Sequence, residues 1–156
     1  MFRIASEKEL FDAFRPRDRA VVEVPKGFTF PLVVRDYLGW RDASGSRVFL
    51  LFTAPGEKVP TGVAFRRDHA STGEPAHLCE WCHTIGTSDV VGLLTTDVNS
   101  KKRVGISLCL DLGCGARLED AADRAGRNGR AAVRALLGRM AKFTRGALGV
   151  TEANRG

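Results

Sequence analysis

Four cysteines carry the strongest chemical signal in this chain. They form two close pairs, Cys79-Glu80-Trp81-Cys82 and Cys109-Leu110-Asp111-Leu112-Gly113-Cys114, and no other cysteine is present. Two thiolates separated by two residues can grip one metal ion from a tight knuckle. A second pair brought alongside completes a tetrahedron, the closed arrangement zinc prefers where its role is structural. Because the unfolded chain has no preformed site, much of the binding energy becomes folding energy, about 10–16 kcal/mol apparent in small zinc-finger peptides. That rivals the whole net stability of an ordinary domain. Cys79, Cys82, Cys109 and Cys114 are therefore the candidate ligands of a structural zinc ion.

Rival chemistries account for less of the pattern. Cys79-Glu80-Trp81-Cys82-His83 spells the c-type haem attachment signature, but that reading leaves Cys109 and Cys114 without a role. A thioredoxin-like dithiol also ignores the second pair and lacks the expected strand and helix around Cys79. A zinc deaminase needs a His-x-Glu triplet ahead of its Cys-x-x-Cys, and none is present. His83, and less so His77 or His69, are the alternative ligands should one cysteine not serve. No nucleophile–base pair and no open metal position can be named, so a non-enzymatic protein is expected.

The compartment and partners follow from composition. The start, Met1-Phe2-Arg3-Ile4-Ala5-Ser6-Glu7-Lys8, has no apolar secretory segment, and no run of 18 apolar residues suggests a membrane span. A cytoplasmic protein with reduced thiols is expected, where paired cysteines favour metal over disulfides. The formal charge is +6; four thiolates and one dication subtract two, leaving about +4. A mildly basic surface suits nucleic acid, a ribosome or an acidic protein.

The elements that must position the cysteines can be read in order. Ser6-Glu7-Lys8-Glu9 is a capping box, and Leu10, Phe11 and Phe14 follow at helical spacing, predicting a helix over 7–14. Ala20-Val21-Val22-Glu23-Val24 reads as a strand. Arg47 to Thr53 is apolar on both faces, as in a central strand, and Gly62 to Arg67 returns beside it. Asp68 to Pro75 is a polar connector. Asp89 to Thr96 and Arg103 to Leu110 form a hairpin. In its second strand Val104, Ile106, Leu108 and Leu110 share one parity and Gly105, Ser107 and Cys109 the other, so Cys109 projects away from the apolar face, beside small neighbours. From Asp111 the pattern turns helical. Glu119, Asp120 and Asp123 precede a longer helix over about 125–148, with Val133, Leu136, Leu137, Met140, Thr144 and Ala147 in one apolar stripe. Thr151 to Gly156 reads as a frayed tail. A knuckle, a hairpin and a ligand pair entering a helix is the order of a treble-clef finger.

Two basic clusters are the candidate contact surfaces. Lys101, Lys102 and Arg103 sit at the predicted hairpin tip, expected to lie near the metal. Between Arg124 and Gly149 seven basic residues and no acids occur, a candidate docking face for RNA or an acidic partner.

The series Leu38-Gly39-Trp40-Arg41-Asp42, Thr61-Gly62-Val63-Ala64-Phe65-Arg66, Cys79-Glu80-Trp81-Cys82 and Val104-Gly105-Ile106-Ser107-Leu108-Cys109-Leu110-Asp111-Leu112-Gly113-Cys114 resembles the zinc-binding domain of the elongation factor G-binding proteins, which include the FusB-type fusidic-acid-resistance proteins. The likeness covers roughly 3–145, and the four cysteines match the family's zinc ligands one for one. It implies a protein that binds elongation factor G, on or near the ribosome, through its zinc-finger half. The resistance proteins carry a helical domain ahead of the matching region, whereas this sequence starts where that region starts.

The expectation is thus one α+β domain over 1–156: a helix and small, mostly antiparallel sheet (3–70), a treble-clef zinc finger with four cysteine ligands (71–118) and a basic C-terminal helix (120–148). Its expected role is as a non-membrane, translation-associated binder of elongation factor G or the ribosome. An RNA- or DNA-binding zinc module using the basic helix is the alternative.

Overall fold

A computed structural model of the chain describes residues 1–67 and 76–149. The predicted connector 68–75, with His69, and the predicted tail 151–156 lie outside the described residues. At the N-terminus a short strand β1 (Phe2–Ile4) leads into helix α1 (Glu7–Asp12). Ser6 caps α1 by accepting from the Glu9 amide at 3.2 Å, and the Glu9 carboxylate reaches back to the Ala5 amide at 2.7 Å. This is the reciprocal bonding of a capping box, shifted outward by one residue.

The centre is a five-stranded antiparallel sheet in the order β3-β4-β5-β8-β9, formed by Tyr37–Arg41, Arg47–Phe52, Thr61–Arg67, Val91–Asp97 and Arg103–Cys109. Two ribbons flank it: β1 with β2 (Leu32–Val34), and β6 (His77–Leu78) with β7 (Ile85–Gly86). The two-sided apolar character of β4 has a direct cause. Phe49 and Leu51 face a layer made by α1 and the N-terminal segments, while Val48, Leu50 and Phe52 face a second layer that contains the cysteines and the last helix. Alternate side chains leave a strand on opposite faces, so a sheet covered on both sides needs apolar residues at every position.

Phe14 anchors the first layer. It is fully buried, meets Trp40 and Phe49 edge-to-face, and lies over Gly62, where an added Cβ would come within 2.6 Å of its ring.

The segment 20–24 is not a strand. It leaves a turn at Ala20 and Val21 as irregular backbone, and packs Val22 and Val24 against the first layer. The Glu23 carbonyl accepts from the Trp40 indole at 2.8 Å, so that backbone group is satisfied by a side chain rather than a ladder. The helical pattern from Asp111 is α2 (Cys114–Arg124) and the longer helix is α3 (Gly129–Gly146), so the segment 120–148 contains a break between two helices. Gly126 takes φ +73°, and the Arg127 amide donates back to the Ala122 carbonyl at 2.8 Å, closing α2 with a left-handed cap. Asn128 then starts α3 by accepting from the Ala131 amide at 3.1 Å. Glu119, Asp120 and Asp123 thus lie inside α2 and precede α3, as expected of the longer helix. On α3 the expected stripe is buried at Val133, Leu136, Met140 and Thr144. No helix among the described residues is long and apolar enough to cross a membrane.

Candidate metal centre

Each cysteine pair sits in a loop that the local sequence bends sharply. In the first knuckle, between β6 and β7, the Cys79 amide donates to the Thr84 carbonyl at 2.9 Å and the His83 amide to the Cys79 carbonyl at 2.8 Å. His83 adopts φ 63° to close this turn. In the second, after β9, the Leu112 amide donates to the Cys109 carbonyl at 3.0 Å, and Leu112 adopts φ 52°. Neither residue is glycine, so both hold a conformation the rest of the structure must enforce. The knuckles are laced together: Glu80 and Ser107 exchange bonds, amide to carbonyl and amide to carboxylate, each at 2.9 Å.

The result brings the four sulfurs together. Their atoms lie within 4.8 Å of one another; Cys79 to Cys114 is 3.7 Å and Cys82 to Cys109 is 3.5 Å. A disulfide requires about 2.05 Å. A tetrahedron with metal–sulfur bonds of about 2.3 Å has edges of about 3.8 Å, which the observed pairs approach. An all-sulfur, four-donor set, buried at three of its cysteines and partly buried at Cys82, fits zinc, a borderline-soft ion without geometric demands of its own. The chain is therefore a metal-binding protein, with zinc the ion its donors suit. Among the described residues no histidine joins this group, and His83 is exposed.

Electrostatics show why a cation belongs there. A hydrogen bond from the Cys114 thiol, helped by the amides of Cys82, Cys109 and Trp81, pulls Cys79 down to about 4 despite its burial. Burial, then the bond to Cys82 and the charge on Cys79, pushes Cys109 up to about 12. Cys114 is also raised, by its bond to Cys79 and by burial. One thiolate thus suppresses ionisation of its neighbours, and a dication reverses that by favouring all four thiolates, so binding releases protons. The loaded site would carry −2. Arg117, paired with Asp111 at 2.8 Å and bonded to Cys109, offsets part of it. The N-terminus of α2 offsets more, since Cys114 is its first residue. Gly113 gives that helix no side-chain cap, and its first turn contains no acid.

Both knuckles are clamped to the larger fold. Arg139 of α3 donates to the Trp81 carbonyl at 2.8 Å. Tyr37 of β3 donates its hydroxyl to the Leu112 carbonyl and accepts from the Gly115 amide at 2.8 Å. Gly39 allows Leu112 to lie on the sheet, because a Cβ there would meet that side chain at 2.8 Å. Burial pushes the Tyr37 phenol above its usual range of about 10. A folded-state pKa above the unfolded one means a stabilising contribution fully present below about pH 10 and lost as pH rises past it. Tyr37 is the single tyrosine, so absorbance at 295 nm reports it alone. Ionisation is expected only with unfolding, and a reversible titration near pH 10 in folded protein would contradict the clamp. Tyr37→Phe is expected to cost about 1–3 kcal/mol by stranding the Leu112 carbonyl and Gly115 amide, read as a lowered Tm.

The basic clusters look different in place. Lys101, Lys102 and Arg103 are exposed at the β8–β9 tip, but Asp97 pairs with Arg103 and Val91 with Cys109. The tip therefore lies at the far end of the hairpin from Cys109, about 20 Å along the strand, and not near the metal. Three of the seven bases of 124–149 are paired with acids. Arg124 pairs with Asp120, Arg130 with Asp36 and Glu119, and Arg145 with Glu57. Helical periodicity along one segment could not reveal acids supplied by other elements. What the sequence reading missed is an apolar surface beside the first knuckle. Leu78 and Ile85 are cross-strand partners and 48% and 71% exposed; Val90, 50% exposed, lies over Gly86. The Leu78 and Ile85 positions flanking the knuckle were the available signal.

Among curated proteins none matches the sequence. A solved structure of the fusidic acid resistance protein FusC is similar at 19% identity and a TM-score of 0.47, over 69% of this chain and 48% of that one. The present chain thus spans about half the length of that protein. The family model described as the FBP C-terminal treble-clef zinc-finger matches residues 8–146. With four clustered sulfurs on a knuckle, a hairpin and a helix start, the chain belongs to the FBP C-terminal treble-clef zinc-finger family.

Proposed function

We propose that this protein is a non-enzymatic, zinc-stabilised docking module for translation elongation factor G, alone or on the ribosome. The observation that carries the reading is the family match over residues 8–146, together with the sequence likeness to elongation factor G-binding proteins. Four sulfur donors saturate a tetrahedral ion and leave no position for a substrate or an activated water, which supports binding rather than catalysis. The exposed side chains of Leu78, Ile85 and Val90 stand beside the knuckle, and apolar groups held on a rigid support are what a protein partner buries.

Pull-down with purified elongation factor G tests this. Retention that survives nuclease supports the reading; association lost on nuclease treatment points to nucleic acid instead. Ile85→Asp is expected to weaken retention about tenfold or more, the effect of losing a buried interface anchor, with zinc content and Tm unchanged. Charge reversal of Lys101 and Lys102 tests whether the hairpin tip also touches the factor. Unchanged affinity in that variant removes the tip from the interface.

A further inference from the structure

We propose that a second site, on the sheet face away from the metal, binds the phosphodiester backbone of an RNA strand. The site arises where two strands part. Among the described residues β5 and β8 pair at Arg66 with Thr95 and Arg67 with Leu94 alone. Beyond those two positions a cleft of about 170 Å³ opens between them, and Arg17, Arg47 and Arg66 line it. Arg47 and Arg66 lie directly opposite one another on β4 and β5. Like charges so placed repel, yet both are half-buried and among the described residues neither makes an ion pair. They share strand parity with Phe49 and Ala64, which belong to the layer opposite the cysteines.

The carboxylates at this cleft are already engaged. Asp18 is held by Arg15 at 2.9 Å, and Asp97 by Arg103 at 3.1 Å. The wall also contains Thr96, whose buried hydroxyl has no hydrogen-bond partner among the described residues. A neighbouring cleft of about 370 Å³ shares Arg17 and Asp97 and continues to Lys101 and Lys102. Arg17 and Arg66 feel the charges of Asp18 and Asp97 without closing an ion pair. With Arg47, Lys101 and Lys102 they make five cations with no ion pair among the described residues, from the β4–β5 pair to the hairpin tip. Among the described residues no aromatic side chain lines either cleft, so bases find no stacking platform there. A row of cations without a stacking platform reads phosphates and ignores sequence. This inference does not depend on factor docking, because Arg47 and Arg66 lie away from the knuckle surface.

The test is fluorescence anisotropy of the intact zinc-loaded protein with labelled 12-nucleotide oligo(U) and oligo(A). Five phosphate contacts predict a slope of log K against log salt near −3.5, about a 130-fold loss of affinity between about 50 and about 200 mM salt. Arg47→Gln/Arg66→Gln removes two contacts, giving a slope near −2.1 and about a 20-fold loss over the same range. The two oligonucleotides should bind alike. The same variant should keep one zinc per chain and its affinity for elongation factor G, which separates this site from the docking reading. A Tm no lower than that of the parent shows that the variant folds. Parent affinity retained in the double variant overturns the proposal, as does loss of RNA binding only in Arg130→Gln/Arg134→Gln/Lys142→Gln on α3. A Tm raised by tripolyphosphate with no RNA binding overturns it too, in favour of a small phosphorylated ligand.

Discussion

Stripping the metal with a strong chelator is expected to unfold this protein. The binding energy of a four-sulfur zinc site, about 10–16 kcal/mol apparent in finger peptides, meets or exceeds the roughly 5–15 kcal/mol that a whole domain retains. The structure shows how that energy reaches the fold. The four cysteines sit in or against the same buried cluster as Leu50, Phe65, Leu136 and Met140, so opening the knuckles exposes the layer between the sheet and α3. Trp81, 3% exposed and edge-to-face with Phe143, gives the readout. Its fluorescence should shift to the red on chelation, and Cys109→Ser should show the same spectrum without chelator. Elemental analysis of purified protein should return about one zinc per chain. A metal-free preparation with an unchanged melting curve would end the zinc account.

Phe14→Ala is expected to give the second-largest effect and to spare the metal. Removing a fully buried phenylalanine costs about 3–5 kcal/mol, a lowering of Tm by about 6–20 °C in a chain of this size. Phe14 packs with Trp40, Phe49 and Gly62 on the face of the sheet opposite the sulfurs. The variant should therefore bind one zinc while melting earlier. Loss of zinc in step with stability would mean that the two layers are not separable, contrary to their division by the sheet.

How far the sequence could be read depended on whether a residue's partner was local. The cysteine pairs were legible because a metal fixes ligand spacing, and β4, β5, β8 and β9 because strand alternation repeats over several residues. The cap at Ser6 was legible for the same reason, since its partners lie within four positions. Ala20 to Val24 misleads because β-branched residues also bury well in an irregular segment, and nothing nearby in sequence announces the Trp40 indole that bonds Glu23. The longer helix is expected to start near 125, but a left-handed Gly126 ends α2 there and lets Asn128 begin α3. The charge pattern after Arg124 reads as unopposed because Asp36 and Glu57, which neutralise Arg130 and Arg145, are remote along the chain. Leu78, Ile85 and Val90 do not stand out in the sequence, because exposure is a property of the assembled fold.

The bare start of α2 has a physiological corollary. With no capping side chain at Gly113 and no acid in the first turn, the helix relies on the ion's sulfur shell for a favourable charge at its amino end. α2 hands the chain to α3, and α3 packs Leu136 and Met140 against the cysteine side of the sheet. A ligand that binds only the native form sets, by mass action, how much native form exists. A fold that depends on its metal in this way would let the supply of the ion set the folded fraction directly, so that metal status acts as a rheostat.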